Sequence, residues 1–287
     1  MGVRLRTSLN NGLNNGLRQS ISGGVSALAF LEYTTASVSS FQVKSEGTVN
    51  YDVDWGDGST ETGITSNAKD HTYSTAGVYK IKITPASGST FRPKHNGSPN
   101  YQTNLTKVNG TGGSQLGTNL AGAFNSATAI TSIGKIDMSS VTNFQTVFQS
   151  LTNLTSFPSL DVSSGTFFFF TWSGCTGLTS FPALDFSSAT NLRNAWSGCT
   201  SLATYPANQF DTTGTLISNA LEGTFTNCAL TAQSIENILT SLDTNGAQNI
   251  TLSLNGGTNA AKSTWTTAAN TAYSNLVTKG WTITFNS

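Results

Sequence analysis

The side chains that could do chemistry form small, scattered groups, and the most regular is a carboxylate series. Asp137, Asp161 and Asp185 recur at one constant spacing along the chain. Stacked carboxylates could bind Ca²⁺ or supply the carboxyl pair that glycoside hydrolysis uses. Each also stands two residues before a serine, where an aspartate commonly caps its own turn. We expect turn caps, and Ca²⁺ binding by this column stays open.

A second acidic group lies in one strand-like run and in the turn that follows it. Asp52, Asp54 and Asp57 could offer oxygen ligands to Ca²⁺. The glycine-rich sequence around them favours a turn, and whether Asp54 and Asp57 bind Ca²⁺ is left open.

The nucleophiles and bases lack partners at recognisable spacing. His71 and His95 are the only histidines, and neither has a Ser or Cys partner at a known motif spacing. The sequence contains no P-loop, GxGxxG, HExxH or CxxC motif. We therefore predict a protein that is not an enzyme, with no catalytic residues, no metal site and no cofactor.

The cysteines are too few and too unevenly placed for a disulfide framework. The three are Cys175, Cys199 and Cys228. Cys175 and Cys199 have the same separation as successive members of the aspartate series, and stacking at that period would allow a bond by distance. Parallel side-chain directions oppose the bond, so we expect free thiols buried as small hydrophobes.

The composition excludes several classes of partner. Of 287 residues, 14 are Lys or Arg and 14 are Asp or Glu, so the chain cannot build the basic face that nucleic acid requires. No apolar run is long enough for a membrane span. The Ser, Thr, Asn and Gly-rich composition is typical of proteins outside cells or on particles. The first residues lack the apolar region of a signal peptide, which favours a virion over an exported protein.

Residues 1–30 form a segment that cannot make a core alone. Leu9, Leu13 and Leu17 recur every four residues within a repeated LNNG motif, while Asn and Gly disfavour helix. We predict that residues 1–30 are an anchoring arm that orders against other virion proteins.

Residues 31–86 carry alternating strand-like runs, FQVKSEG, VNYDVDW and VYKIKIT. The DWGDGS turn at 54–59, the HTY run at 71–73 and the GVYKIKI run at 77–83 together resemble the PKD domain family. The resemblance implies an immunoglobulin-like β-sandwich that acts as a spacer or adhesion module. Residues 87–118, rich in Gly, Ser and Asn, are predicted as a connector.

Residues 119–230 are an internal repeat. The copies begin at positions 119, 143, 167 and 191, and a degenerate fifth copy has Phe225 and Cys228 in register. Apolar columns at offsets of four and three predict a short helix, and the LTSFP-like run predicts a strand. These motifs resemble the BspA-like leucine-rich repeat surface-protein family. The fold class is therefore predicted as multidomain β plus α/β, with a leucine-rich-repeat-type solenoid of about five repeats, and 231–287 as its C-terminal cap.

Four consecutive phenylalanines interrupt the third copy. Phe168 occupies a core column, whereas Phe167, Phe169 and Phe170 avoid the inward face of the predicted helix. We expect these three to form an exposed aromatic patch that contacts a partner. The alternative is local repacking against the PKD-like domain of residues 31–86 or against the connector of residues 87–118.

A PKD-like module followed by such repeats resembles proteins of bacterial surface layers and phage structural genes. We predict a non-enzymatic virion structural protein, a phage decoration, fibre or tail component on the virion surface. Its arm docks it, and its outer modules serve adhesion and host attachment, through a host surface protein or glycan. We expect a homo- or hetero-oligomeric assembly. The alternatives are a bacterial cell-surface adhesin and a carbohydrate-active phage tail protein.

Overall fold

A computed structural model describes residues 30–47, 49–94 and 99–287. The predicted anchoring arm with Leu9, Leu13 and Leu17 lies outside the described residues, as does His95.

The N-terminal half is built from two β-sheets. The larger has six strands in the order β4-β3-β6-β1-β8-β9, and the smaller has three in the order β5-β2-β7. The strands are β1 Leu31–Thr35, β2 Val38–Glu46, β3 Tyr51–Asp54, β4 Thr60–Ile64, β5 Ala68–Gly77, β6 Lys80–Pro85, β7 Arg92–Pro93, β8 Leu105–Asn109 and β9 Ser132–Ile133. A short helix, α1 Pro99–Asn104, precedes β8.

These strands form because apolar residues alternate with polar ones. In β1, Leu31 and Tyr33 are buried while Glu32 and Thr34 are not. The turn between β3 and β4 requires glycine at Gly56, whose φ is +82° and whose added Cβ would lie 2.5 Å from the carbonyl oxygen of Lys80.

The larger sheet passes from residues 31–86 into the repeats. β1 pairs antiparallel with β6 and β8, and β8 pairs parallel with β9, joining Val108 to Ile133. Between β6 and β9, the segment predicted as a connector also buries Phe91, Tyr101 and Leu116. The first repeat is therefore hydrogen-bonded directly onto the sheet.

The predicted leucine-rich-repeat-type α/β solenoid is wrong. The structure is mostly β with mixed sheets, and residues 119–230 contain turns, the short strand β9 and single β-bridges but no α-helix. Where a helix was predicted, each copy has two residues in the left-handed region, four positions apart. They are Gly122 and Ser126, Thr146 and Ser150, Phe170 and Gly174, Asn194 and Gly198, and Gly223 and Asn227.

In each copy, two left-handed residues four positions apart replace the predicted helix by successive turns. Within the first copy, the amide of Ala123 donates to the carbonyl of Leu120 and that of Ala127 to Phe124. Between copies, the amides of Leu120 and Phe124 donate to the carbonyls of Asn143 and Val147. The four-residue apolar spacing is that of a repeated turn, which imitates the spacing of a helix.

Aromatic rings run through the core of these stacked copies. One ladder stacks at centroid separations of 5.1 to 6.3 Å and consists of Phe124, Phe148, Trp172, Trp196 and Phe225. A parallel ladder consists of Phe157, Phe181 and Tyr205. The copies thus bury their apolar columns against each other.

Helices appear at the C-terminal end. α2 Ala232–Asn245 is followed by β10 Thr251–Leu254, α3 Thr267–Thr278 and β11 Thr282–Phe285, and β10 pairs parallel with β11. The hydroxyls of Thr231 and Thr266 cap the two helices by accepting from the amides of Ser234 and Ala269. No helix of the described residues is long and apolar enough to cross a membrane.

Candidate binding site at an aromatic edge

Phe167, Phe169 and Phe170 lie together on the third copy of the repeat. Phe167 is 51% exposed, and Phe169 and Phe170 are half-buried. The rings of Phe169 and Phe170 meet edge to face, with centroids 4.3 Å apart. Phe168, between them in sequence, is buried and stacks on Phe144. We call Phe167, Phe169 and Phe170 the aromatic edge.

The position of Phe167 is an asparagine in the neighbouring copies. Asn119, Asn143 and Asn191 each accept a hydrogen bond at Oδ1 from the amide two residues later, at 2.9 Å. This side-chain bond closes the start of each turn. A phenyl ring has no acceptor for it, so the third copy gives up this cap and instead exposes an apolar ring.

The backbone at Phe170 makes a second departure. Its φ is +55°, in the left-handed region that favours glycine and asparagine, and the other copies have Gly122, Thr146 and Asn194 there. A bulky side chain in this region costs on the order of 1–2 kcal/mol. Folding of the turn alone does not select phenylalanine at this position.

An ion pair flanks the aromatic edge. Nη2 of Arg193 lies 3.1 Å from Oε2 of Glu222, and the guanidinium carbon is 6.0 Å from the Phe169 ring centroid. Sequence reasoning missed Arg193, although its column holds Gln145 and Phe169 in the preceding copies. The edge therefore combines apolar rings with a cation that already has a partner.

The carboxylate column is used by its own turns. Oδ1 of Asp137, Asp161 and Asp185 accepts a hydrogen bond from the amide of the serine two residues later. The serine hydroxyl and amide hold the pKa of Asp161 below its usual value. The prediction that these aspartates cap turns is confirmed, and Ca²⁺ binding stays a prediction left open.

The carboxylates near β3 also accept hydrogen bonds from backbone amides. Oδ1 of Asp52 accepts from the amide of Gly63, and Oδ1 of Asp54 accepts from that of Gly56. No group of three or more His, Cys, Asp or Glu residues that could hold a metal occurs in the described ranges.

Asp57, Ser59 and His71 meet, but not as a catalytic triad. The hydroxyl of Ser59 donates to Oδ1 of Asp57, while Nε2 of His71 lies 2.8 Å from Oδ2 of Asp57. In a triad the histidine stands between the hydroxyl and the carboxylate, whereas here the hydroxyl bonds to the carboxylate itself. These hydrogen bonds hold the pKa of Asp57 far below its usual range. His71 also stacks on Trp55 at 4.7 Å, so the cluster fastens the turn to β5.

The thiols are free and buried, as expected. Sγ of Cys175, Cys199 and Cys228 donates to the backbone carbonyls of Phe148, Trp172 and Trp196. Burial raises the pKa of Cys175 and of Cys228 to about 12, so neither is a thiolate at neutral pH.

No protein-family model, no curated protein and no solved structure matches this chain. The resemblances to the PKD and BspA-like families therefore rest on the quoted motifs alone and stay predictions.

Proposed function

We propose that this chain is a non-enzymatic structural protein of a virion surface, and that the aromatic edge is its contact surface for a protein partner. The observation that carries the proposal is a set of three phenylalanines in one copy of a repeat, where Phe167 replaces a turn-capping asparagine and Phe170 occupies a left-handed position. Residues that weaken the local fold without an evident gain elsewhere are candidates for function.

The stability that the turn loses at the aromatic edge can be estimated by comparison with the other copies. Phe167 forgoes a turn cap worth about 1 kcal/mol, and Phe170 adopts a left-handed backbone. Phe167 then remains 51% exposed, so burial within the chain offsets the loss only in part. A partner that covered these rings would recover it, since aromatic residues dominate the energetics of protein interfaces.

The reactive side chains support a binding role over a catalytic one. The carboxylates of Asp137, Asp161 and Asp185 are occupied by their own turns, and the three thiols are buried. The low content of charged residues suits a protein that packs among others on a particle. Docking by residues 1–30 remains part of the proposal.

The first experiment replaces the aromatic edge by the residues of the neighbouring copies. The variant carries Phe167→Asn, Phe169→Gln and Phe170→Asn, matching Asn143, Gln145 and Asn194. Purified particles from the infected host are assayed for the chain by quantitative mass spectrometry. We expect the variant to fold with equal or greater stability and to fall at least tenfold in the particles.

Two further variants separate the parts of the proposal. Ile217→Thr removes an exposed apolar side chain elsewhere on the repeats, and we expect normal incorporation. Deletion of residues 1–25 tests the arm independently, and we expect loss of incorporation from an otherwise folded chain. Normal incorporation of the edge variant would refute the contact surface, and absence of the wild-type chain from particles but presence on intact cells would favour the adhesin.

A further inference from the structure

A second aromatic site lies at the C-terminal end, where a lysine ammonium rests in a corner of two rings. Nζ of Lys262 is 3.6 Å from the ring centroid of Tyr273 and 4.9 Å from that of Phe285. The two rings are 5.6 Å apart and meet at 89°. Trp265 completes the group, 5.9 Å from Tyr273 and 5.4 Å from Phe285. We call Trp265, Tyr273 and Phe285 the aromatic corner.

A helix, a strand and the loop before the helix hold the three rings in place. Tyr273 belongs to α3 and Phe285 ends β11, where it pairs with Leu254 of β10. Trp265 is buried, and its indole Nε1 donates to the carbonyl of Ala260. The corner is thus preorganised by the fold, and only the lysine is free to move on its flexible stem.

The lysine is held there by the rings and not by a carboxylate. In residues 30–47, 49–94 and 99–287, no ion pair involves Lys262, whereas Lys279 nearby pairs with Asp243 at 2.6 Å. Attraction between a cation and ring faces explains the position of Nζ, since both centroids lie within about 6 Å. Lys262, Tyr273 and Phe285 are each half-buried, so solvent reaches the corner.

A primary ammonium is not the cation that such a corner binds best. Lysine carries a compact, strongly hydrated charge, and moving it onto ring faces strips part of that hydration. A quaternary ammonium spreads its charge over methyl groups and is the ligand for which aromatic enclosures are used. An incoming quaternary ammonium would release Lys262 into water, where an anionic group on the same ligand would lie within reach of its stem.

We propose that the aromatic corner binds phosphocholine, with the trimethylammonium against Tyr273 and Phe285 and with Lys262 displaced to the phosphate. The ligand supplies both the cation that the rings prefer and an anion for the released lysine. Lys262 is then the resting occupant of the site and a phosphate ligand in the complex. This site is separate from the aromatic edge, so either can fail without the other.

The test is a titration of the whole chain by calorimetry with phosphocholine, choline and phosphoethanolamine. We expect phosphocholine to bind at least tenfold more tightly than choline, because its phosphate gains a charge-assisted hydrogen bond from the released Lys262 that choline cannot accept. Phosphoethanolamine, which presents a primary ammonium, is expected to bind at least tenfold more weakly than phosphocholine. A flotation assay with phosphatidylcholine and phosphatidylglycerol vesicles distinguishes a lipid headgroup from soluble phosphocholine.

Variants of the lysine and of the rings test the role of each side chain in binding. Lys262→Met keeps an apolar stem but removes the charge, so choline and phosphocholine should bind it within threefold of each other. Tyr273→Leu should abolish both, and Phe285→Leu provides the same test if Tyr273→Leu does not fold. Lys135→Met, an exposed lysine elsewhere, should change nothing. No binding of phosphocholine to the wild-type chain, or an undiminished preference for it in Lys262→Met, would overturn the proposal.

Discussion

At the scale of single residues, the backbone at Phe170 and the hydrogen bonds at Asp57 make opposite contributions to the fold. Phe170 holds a left-handed conformation with a bulky side chain, while Asp57 gathers donors from Ser59 and His71. The first weakens the turn that contains it, and the second strengthens its turn at neutral pH.

Replacing Phe170 by asparagine should stabilise the protein. Asn194 adopts φ +56° in the same column, so Phe170→Asn relieves strain of about 1 kcal/mol and raises the thermal midpoint by a few degrees. The measurement is thermal unfolding followed by circular dichroism. Phe169→Gln, which removes the same ring contact at a residue outside the left-handed region, serves as the control and should give no gain. A loss of stability in Phe170→Asn would show that packing of the ring outweighs the strain.

The Asp57 cluster predicts sensitivity to acid. A carboxyl whose pKa is lower in the folded state stabilises the fold above its unfolded pKa of about 4, and this stabilisation is lost as the pH falls through the folded pKa. The hydroxyl of Ser59 is the largest cause of the low pKa, so Ser59→Ala should move the acid-unfolding midpoint to higher pH. Unfolding is followed by fluorescence between pH 7 and pH 1.5.

Ser66→Ala is the matched control, because that hydroxyl donates to the carbonyl of Ala68 and to no carboxylate. It should change stability by the same amount at every pH. An unchanged acid midpoint in Ser59→Ala would mean that the amide of Ser59 and the ring of His71 suffice to hold the charge.

At the scale of elements, the turns of the repeat depend on residues that tolerate a left-handed backbone. Gly198 has φ +75°, and a Cβ built there meets nothing closer than 3.8 Å, so space does not forbid a side chain. Gly198→Ala should therefore cost only the backbone term, about 1–2 kcal/mol, measured by urea unfolding. Gly198→Asn should cost less, since Asn227 adopts φ +60° in this column. Equal costs for the two variants would contradict this explanation.

The repeat also shows how much of the fold could be predicted from the sequence. The period and the inward columns could be predicted, because Phe124, Phe148 and Trp172 recur at the repeat period and are buried. The prediction of a helix in each copy was wrong because a repeated tight turn and a helical turn place apolar side chains at nearly the same spacing. Gly122, Gly174 and Gly198, one in each of three copies, were the available signal, since glycine disfavours a helix interior.

Contacts between residues that are far apart in the sequence could not be predicted from it. Lys262, Tyr273 and Phe285 have no motif spacing, and the ring contact of Tyr273 with Phe285 brings together residues that are distant in sequence. The aromatic edge could be anticipated from Phe167, because its column holds asparagine elsewhere. The ion pair of Arg193 with Glu222 joins two copies across a longer repeat and was not anticipated.

At the scale of the whole molecule, hydrogen bonds run without a break from the first sheet to β11. β8 bonds to β1 on one side and to β9 on the other, and the copies then bond to each other in succession. We expect one cooperative unfolding transition. In urea, hydrogen exchange of residues 31–54 and labelling of Cys175, Cys199 and Cys228 should share a midpoint.

Val108→Ala tests whether the N-terminal sheets and the repeats unfold together. Val108 is buried in β8, and its truncation should cost about 2 kcal/mol. Both midpoints should fall together, because neither half of the chain keeps its edge covered alone. A shift in the exchange of residues 31–54 with unchanged cysteine labelling would show two independent units.

The equivalence of the stacked copies also bears on how such a chain changes over generations. Each interior copy offers its successor the same row of amides and carbonyls that its predecessor offered to it. A gene duplication or deletion of one whole copy leaves both ends with the neighbours they already accept, whereas a change of length inside the run of turns would shift each amide away from its carbonyl partner. Descendants of this gene should therefore gain or lose complete copies, and the distance between the first sheet and the C-terminal helices should change by one copy at a time.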